Sequence, residues 1–290
     1  MSAGRYAPSP SGDLHVGNLR TALLAWLWAR RSGREFLIRV EDLDRVRPGA
    51  EQRQLDDLRT LGLDWDGVPV HQSGRLDLYD AAIARLDRDG RVYECFCTRR
   101  EILEAPTAPH HPPGAYPGTC RDLTDAERAQ RRTERPAALR LRADVATFTV
   151  EDELHGTYEG AVDDFVLRRG DGVPAYNLAV VVDDAEQGVD QVVRGDDLLP
   201  SAPRQAYLAT LLGTRPPVYV HVPLALNASG RRLAKRDGAV TLGELRADGI
   251  DTFALIADSL GLTGATPQEV LATFDPATLP TERWVFVPPG

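Results

Sequence analysis

The spacing of apolar residues predicts a strand, a loop and a helix at the start of the chain, from Arg5 to Gly33. A short extended segment leads into a loop that Pro8, Pro10 and Gly12 turn, because proline and glycine interrupt regular structure. Gly33 occupies the place of the glycine that commonly follows a helix. Helical spacing links the apolar residues between these two points, namely Leu14, Leu19, Leu23, Leu24 and Leu27.

Strands and helices continue to alternate after this first helix. Residues 35–44 form an apolar run that ends in acidic residues, as a buried parallel strand does at its carboxyl end. Helical patterns follow at 48–62 and 76–88, and residues 92–98 again have the character of a strand. This order predicts an α/β fold, a Rossmann-like doubly wound parallel sheet with right-handed crossovers.

The middle of the chain has a different composition. Residues 104–118 are too rich in proline and glycine for regular structure, which indicates an insertion. Segments 138–160 and 164–186 alternate in the manner of strands, with turns at glycine, and predict a small antiparallel unit that returns to the main sheet. Residues 216–226 fit the last strand of that sheet, and residues 242–290 contain two short helical patterns.

Composition and charge narrow the class of protein. With 290 residues and 42% hydrophobic content, the chain can bury a substantial core. No apolar stretch approaches the ~20 residues of a membrane span, and no basic-then-apolar leader opens the chain, so we expect a cytoplasmic protein that does not enter a membrane. The net charge of −9 argues against indiscriminate coating of nucleic acid, because such binding depends on neutralised phosphates. Any RNA contact must therefore be a local basic surface, for which the segment 131–142 is the candidate, with an ordinary solvent-facing helix surface as the alternative.

Two groups of residues carry candidate chemistry. His15 and Gly17 stand at the start of the first helix, where unpaired N–H groups and the positive end of the helix dipole favour a phosphate. The three cysteines, of which Cys95 and Cys97 form a C-x-C pair, do not make the disulfide framework of a secreted protein. They favour a metal site, with buried thiols as the alternative.

Two ordered segments then resemble a known family. APSPSGDLHVGN (7–18) is similar to the HIGH signature of class I aminoacyl-tRNA synthetases in the glutamyl and glutaminyl branch, and GRRLAKRDGAV (230–240) is similar to their KMSKS loop. The resemblance spans about residues 1–245. It implies a site for ATP with Mg²⁺ in which His15, Gly17 and Lys235 are the catalytic residues. The ATP-binding residues implied are Ser11, His15, Gly17, Asn18, Arg232, Leu233 and Lys235. Ala234 departs from the family pattern, which often has a hydroxyl there.

The resemblance also implies a pocket for glutamate. Arg5 and Arg194 offer permanently charged donors for a carboxylate, and Glu41 can neutralise an α-ammonium group. The alternative, that these charges form ordinary loop ion pairs, stays open at this point. The residues implied for glutamate are Arg5, Tyr6, Ala7, Pro8, Ser9, Glu41, Tyr176 and Arg194.

For the cysteine cluster, the tRNA-modifying members of the family imply a zinc ion held by Cys95, Cys97, Tyr116 and Cys120. His110 and His111 compete with Tyr116, since histidine is the commoner zinc ligand. The implied domains are a first half of the core (1–94), a zinc-containing α+β insertion that contacts the acceptor (95–162), the second half of the core (163–241) and a short helical region (242–290).

The expected function follows from the branch of the family. Only about 50 residues follow the KMSKS-like loop, which is too few for an anticodon-binding domain. The resemblance therefore implies transfer of glutamate to the queuosine in the anticodon loop of tRNA(Asp), by an enzyme that we expect to be a monomer. Two alternatives remain: a short glutamyl-tRNA synthetase that charges the 3′ end of tRNA, and a non-catalytic tRNA-binding paralogue.

Overall fold

Strands of the main sheet and of two smaller sheets organise the chain. The computed structural model describes residues 2–104, 116–233 and 240–287. Within these residues the strands are β1 (Ala3–Tyr6), β2 (Glu35–Val40), β3 (Val70–His71), β4 (Val92–Cys95), β5 (Ala138–Leu141), β6 (Thr147–Asp152), β7 (Gly156–Ala161), β8 (Val166–Arg168), β9 (Val189–Gly195), β10 (Val218–Val222), β11 (Ala225–Leu226) and β12 (Trp284–Val285).

Helices connect most of these strands. They are α1 (Val16–Arg31), α2 (Ala50–Thr60), α3 (Leu76–Arg88), α4 (Arg99–Glu104), α5 (Asp125–Arg132), α6 (Tyr176–Glu186), α7 (Ala202–Leu211), α8 (Leu242–Ala247), α9 (Thr252–Ser259) and α10 (Pro267–Thr273). Short 3-10 turns cover Gln72–Arg75, Asp196–Ser201 and Pro276–Thr278. None of the described helices is long and apolar enough to cross a membrane.

The main sheet has the strand order β3-β2-β1-β9-β10-β6-β7. Every neighbouring pair is parallel except the hairpin of β6 and β7. Neighbouring residues of β10 face opposite layers, since Val220 belongs to the apolar cluster around α1 whereas Tyr219 belongs to the cluster of α7 residues. The predicted α/β fold with a parallel sheet is therefore confirmed.

Helix α1 is the most deeply packed element of this layer. Gly33, with φ of 69°, follows its last turn, as the sequence predicts. His15 caps its first turn, so the N–H groups of Gly17 and Asn18, which were expected to be unpaired, are bonded to the His15 ring. Leu19, Leu23 and Leu27 have no exposed surface. A Leu-to-Ala change at such a position costs about 2–5 kcal/mol of folding free energy, so α1 holds the loop before it on a rigid base.

Two elements differ from the sequence prediction. Strand β4 does not join the parallel sheet, because it pairs antiparallel with β5 in a separate three-stranded sheet of order β4-β5-β8. Residues 176–186, predicted as a strand, form helix α6. Most of the residues of α6 from Leu178 to Asp184 are buried, so the helix lacks the polar face that would have given it a helical period in the sequence.

The C-terminal region packs on the α1 side of the sheet. Leu245, Ile256 and Val270, one from each of α8, α9 and α10, join the apolar cluster of α1. Strand β12 pairs in parallel with β11, directly before the KMSKS-like segment. The predicted single strand at 216–226 is thus two, β10 in the main sheet and β11 with the C-terminal strand.

Candidate active site

A cavity of about 340 Å³ opens at the carboxyl ends of β1, β2 and β9. Doubly wound sheets bind their ligands at this edge, just beyond the carboxyl ends of the parallel strands. Its lining includes all but one of the residues predicted for glutamate: Arg5, Tyr6, Ala7, Ser9, Glu41, Tyr176 and Arg194. The remaining one, Pro8, lines the adjoining cavity.

That adjoining cavity, of about 560 Å³, lies against the start of α1. The residues predicted for ATP that line it are Ser11, His15, Gly17, Asn18, Arg232 and Leu233. Tyr6, Ala7, Ser9, Glu41 and Arg194 line both cavities, so the two form one continuous site. Lys235 lies outside the described residues.

His15 has one defined tautomer at the start of α1. Its Nδ1 accepts hydrogen bonds from the backbone N–H groups of Gly17 at 3.1 Å and Asn18 at 3.3 Å. The side chain of Asn18 completes the capping box by accepting from the His15 N–H at 3.2 Å. An Nδ1 that accepts cannot carry a proton, so the proton of the neutral ring is on Nε2. The ring therefore presents a donor, which suits a phosphate oxygen.

The loop between β1 and α1 is fixed by its neighbours. Buried Gln54 of α2 donates to the backbone oxygens of Ser9 at 3.0 Å and of Gly12 at 2.6 Å. The Glu41 N–H donates to the Pro8 oxygen at 3.0 Å, and the Ser9 hydroxyl donates to the Glu41 oxygen at 3.2 Å. The cavity walls on β1 and β2 are thus tied together, which preorganises the site for its ligands.

Buried charges lie beneath the smaller cavity. Asp184 of α6 accepts from Arg39 at 2.6 Å and from Arg5 at 3.2 Å, and Glu41 lies 3.6 Å from Arg39. Burial raises the pKa of Asp184, but the two arginines outweigh it and keep that pKa below its ordinary value. At Glu41 the order is reversed: burial raises the pKa above its ordinary value despite Arg39 and Arg5. Glu41 is therefore the acid of this group that is least neutralised by the protein.

The segments on either side of residues 234–239 are anchored to the site. Arg232 donates to Asp197 at 2.5 Å, and buried Leu233 donates its N–H to the Ala225 oxygen at 3.0 Å. Beyond the gap, the Val240 oxygen accepts from the Val16 N–H at 3.1 Å, at the first turn of α1. Both ends of the KMSKS-like segment therefore lie beside the larger cavity.

The thiols of Cys95, Cys97 and Cys120 lie within 4.8 Å of one another and could hold a metal ion. Cys97 Sγ is 3.6 Å from Cys120 Sγ, and the Tyr116 hydroxyl is 3.4 Å from Cys95 Sγ and 4.0 Å from Cys97 Sγ. Ligand atoms at tetrahedral corners about 2.0–2.3 Å from a zinc ion stand about 3.3–3.8 Å apart. The Cys97–Cys120 and Cys95–Tyr116 separations match this range, and small side-chain movements would bring the longer Cys97–Tyr116 distance into it. His110 and His111 lie outside the described residues.

Two contacts hold Tyr116 in the thiol cluster, although burial and the neighbouring Cys95 raise the pKa of its hydroxyl above the ordinary value. Its hydroxyl oxygen accepts the Cys120 N–H at 2.8 Å, and the Arg140 guanidinium lies over its ring, 3.6 Å from the centroid. Burial, with help from Cys95, raises the pKa of Cys97 to about 12. Without a metal this thiol is therefore neutral near pH 7, and it would ionise only as the ligand of a bound cation.

Comparison with known proteins identifies the chain. Residues 3–282 match the family of tRNA synthetases class I (E and Q), catalytic domain. The chain belongs to this family. It is 70% identical to the glutamyl-Q tRNA(Asp) synthetase of Nocardia farcinica, covering 99% of this chain and 94% of that protein. It is 49% identical to the protein of the same name from Deinococcus radiodurans, covering 93% of each.

A solved synthetase of the family has the same fold. The glutamate tRNA ligase of Elizabethkingia meningosepticum, crystallised with its amino acid, superposes with a TM-score of 0.81 at 27% identity. The superposition covers 99% of this chain and 67% of the ligase. Almost the whole of this chain therefore has the fold of the matching part of a glutamate tRNA ligase.

Several residues of the synthetase site were not predicted from the sequence. Gln54, Asp184 and Arg45 are among them, and Arg45 is the one non-glycine residue with positive φ, 54°, in the described part of the chain. Arg45 lines both cavities. Its position after the acidic end of β2 was the available signal, but a lone arginine in a loop carries little information.

The candidate basic segment 131–142 is largely used within the protein. Arg140 is buried, so it is wrong as a contact for an RNA backbone. Arg132 pairs with Glu94 at 2.7 Å, Arg135 with Glu101 at 3.2 Å and Arg142 with Asp122 at 3.1 Å. The segment therefore braces the three-stranded sheet and the thiol cluster.

Proposed function

We propose that this chain is an enzyme that activates glutamate with ATP and transfers it to the queuosine at the wobble position of tRNA(Asp). The observation that carries the proposal is the joining of the two cavities. One has Arg5, Arg194 and Glu41 at strand ends, and the other has His15 and Gly17 at a helix start. Close relatives over almost the full chain bear the name of this activity.

In the first step, an α-carboxylate oxygen of glutamate forms a bond to the α-phosphorus of ATP, and the bond from that phosphorus to pyrophosphate breaks. The nucleophile and the leaving group are both good, so the protein supplies orientation and charge stabilisation and needs no general base. His15 donates from Nε2 to a phosphate oxygen, and Lys235 supplies positive charge as negative charge develops on the phosphates. Mg²⁺ bound with the nucleotide would supply further neutralisation of that charge. Gly17 lets the nucleotide approach the helix start.

The remaining site residues hold the amino acid. Glu41 accepts the α-ammonium group, and Arg194 provides positive charge for a carboxylate, with Tyr176 at the rim of the cavity. Arg5 adds to this charge, although it shares its own with Asp184. Two arginines and one acid suit an acidic amino acid better than a neutral one. The geometry therefore favours glutamate as the substrate.

In the second step, a hydroxyl oxygen of the queuosine cyclopentenediol attacks the carbonyl carbon of the adenylate. The bond from that carbon to the AMP oxygen breaks, and the hydroxyl proton passes to the departing phosphate. The vicinal diol of queuosine resembles the diol of a terminal ribose, so the transfer requires no further catalytic group. A single-stranded anticodon loop can present a splayed base to a cavity of this kind.

Zinc bound by Cys95, Cys97, Cys120 and Tyr116 completes the proposal. It would order the insertion (95–162) that we expect to face the tRNA. A closed set of four protein ligands is the mark of a structural zinc site, so zinc takes no part in the chemistry.

The test is to charge two preparations of tRNA(Asp), with and without queuosine, using labelled glutamate. We expect label only on the queuosine-containing tRNA and in its anticodon fragment after nuclease cleavage. Removal of the 3′-terminal adenosine should leave the charging unchanged. Label in the 3′ fragment, or equal charging of both preparations, would instead support a short glutamyl-tRNA synthetase.

A further inference from the structure

A chain of polar side chains crosses the carboxyl ends of three neighbouring strands. Asp152 ends β6, His221 lies near the end of β10 and Arg194 near the end of β9. Oδ2 of Asp152 is 2.6 Å from Nδ1 of His221, and Nε of Arg194 is 3.0 Å from Nε2 of the same ring. All three residues are buried. The chain begins in the protein interior and ends in the candidate active site.

The hydrogen bonds fix the tautomer of His221. An arginine Nε–H can only donate, so Nε2 of His221 must accept and the ring proton must be on Nδ1, facing Asp152. Asp152 is held in turn, because its Oδ1 accepts the N–H groups of Leu154 and His155 at 2.9 Å and its Oδ2 accepts that of His221 at 3.0 Å. An orienting carboxylate selects the tautomer of a histidine in the same way in Ser-His-Asp triads.

Neutral groups hold the rest of the Arg194 guanidinium. Nη1 donates to Gln205 Oε1 at 2.7 Å and Nη2 to the Leu198 oxygen at 3.4 Å. Gln205 is itself held, since its Nε2 donates to Asn177 Oδ1 at 3.0 Å. These contacts and His221 occupy three of the five N–H donors of a guanidinium, which leaves two for a ligand.

The absence of a direct acid distinguishes Arg194 from Arg5 and Arg232. Arg5 pairs with Asp184 and Arg232 pairs with Asp197. Within the described residues, no carboxylate lies in salt-bridge contact with Arg194, and the nearest acid of its network, Asp152, acts through a neutral imidazole. A direct carboxylate would cancel the positive charge, whereas a neutral acceptor fixes the side chain and leaves the charge for an anion.

We propose that His221, oriented by Asp152, is a positioning residue that holds Arg194 for the side-chain carboxylate of the amino-acid substrate. The inference rests on the proposed function and deepens it, because it names what gives the site its preference for an acidic amino acid. Asp152 and His221 touch neither the substrate nor ATP in this arrangement. Their effect reaches the substrate through Arg194 alone.

Two substitutions at one position separate orientation from packing. In His221→Gln, the side chain is long enough to place an amide oxygen where Nε2 accepts from Arg194. In His221→Asn, the side chain can still donate to Asp152 but ends short of Arg194. Removing the outer partner of a ligand-binding group typically costs about 10–100-fold in affinity or activity. We expect KM for glutamate to rise by that factor in His221→Asn, with KM for ATP unchanged, and to return most of the way to the wild-type value in His221→Gln.

A second, independent test is Asp152→Asn, which keeps the shape of the side chain. An amide that donates to Nδ1 would move the ring proton to Nε2, where it would oppose the Arg194 N–H. We expect the same rise in KM for glutamate and a smaller ratio of kcat/KM for glutamate over glutamine. Tyr219→Phe is the matched control, because it changes a neighbour of His221 on β10 and keeps the ring that stacks 5.7 Å from the imidazole.

The measurements are amino-acid-dependent pyrophosphate exchange, with thermal unfolding of each variant as the check on folding. An unchanged KM for glutamate in folded His221→Asn and Asp152→Asn would overturn the proposal. So would equal rises in KM for glutamate and for ATP, which indicate a general structural role. Wild-type protein that exchanges pyrophosphate with another amino acid and not with glutamate would overturn the proposed function instead.

Discussion

The imidazole of His15 packs directly against Gly17. A methyl group at Gly17 would lie 3.1 Å from Cε1 and 3.2 Å from Nδ1 of His15, and 3.1 Å from the Ala225 side chain. These distances are tighter than ordinary van der Waals contact, so either the ring or the first turn of α1 would move. Since Nδ1 of the ring caps that turn, the two movements are coupled.

We therefore expect Gly17→Ala to lower the rate of glutamyl-adenylate formation. Displacing one preorganised donor from a developing charge costs about 100–1000-fold in rate. Gly243→Ala is the control, because it makes the same change in helix α8, where the nearest atom to a new methyl group is 3.9 Å away. Pyrophosphate exchange should fall in the first variant and stay at the wild-type level in the second. Equal activity of the two would refute the assignment of His15 and Gly17.

Lys235 can be tested by chemical modification as well as by substitution, since it is the only lysine in the chain. Lys235→Ala should lose about 2.7–4 kcal/mol of transition-state stabilisation, as for removal of one oxyanion-type contact. An amine acetylating reagent should inactivate the wild type, and MgATP should protect it. Lys235→Arg keeps the charge but offers no amine at this position. Its residual exchange activity should survive the reagent, and inactivation at the same rate as wild type would point to another target.

The sequence predicted those parts of the fold that depend on residues close together along the chain. The start of α1 near His15, the glycine after α1 and helix Leu76–Arg88 are set by neighbours a few residues apart, and each was predicted. Helix α6 was taken for a strand because its β-branched run, Val180 to Val182, is buried, and a short apolar run has no period that separates the two structures. The residues of β4 likewise do not show which strand it pairs with, so its antiparallel pairing with β5 could not be predicted.

The same distinction holds for the candidate site. Arg5, Glu41 and Arg194 were named through the resemblance to the family, and their places in or directly after apolar strands agree with it. His221 was missed although it is bonded to Arg194, because that contact joins residues 27 positions apart on two neighbouring strands. Pairing register places them side by side, and register is a property of the folded sheet.

The thiol cluster yields a prediction about metal content. Protein purified without chelator should contain one zinc ion per chain, and Cys97→Ser should lose it, because a thiolate ligand is removed. Tyr116→Phe should weaken zinc binding by about 10-fold or more, measured by competition with a chromogenic chelator. Unchanged zinc affinity in Tyr116→Phe would assign the fourth ligand elsewhere, with His110 and His111 as the next variants.

Metal removal should loosen one part of the molecule more than another. Because site and surrounding segment fold together, chelation should speed amide exchange in the β4–β5 region far more than in α1. Hydrogen exchange read by mass spectrometry resolves the two. Uniform loss of protection would mean that zinc supports the whole fold and not the insertion alone.

The buried histidine makes stability depend on pH. Burial lowers the pKa of His221 from its ordinary 6.5, with Arg194 and His155 acting in the same direction and Asp152 against it. A group with a lowered pKa binds fewer protons in the native state than in the unfolded chain. Its contribution is therefore complete above pH 6.5 and declines as the pH falls below that value.

We accordingly expect the free energy of unfolding to fall between about pH 7.5 and about pH 5.5, and to fall less in His221→Gln, which lacks this titration. Urea denaturation at the two pH values measures both changes. Carboxylates with lowered pKa, among them Asp152 and Asp184, contribute only further into acid, below their ordinary 3.8. Burial raises the pKa of Asp57 to about 6, which acts in the opposite sense as the pH falls, so the comparison with His221→Gln isolates the histidine. A decline of equal size in wild type and His221→Gln would assign the pH dependence to another group.

Because β12 pairs with β11, the C-terminal strand lies beside the nucleotide cavity, and a label attached there would be close to the substrates. Trp284 and Val285 lie beside Ala225 and Leu226, and Ala225 also lines the larger cavity. Ser2, in contrast, lies beside Glu35 at the amino ends of β1 and β2, the opposite edge of the sheet from the site. An affinity tag or surface linkage at the first residues is thus remote from substrates. A fluorophore near Trp284 would report on events at the mouth of the nucleotide cavity.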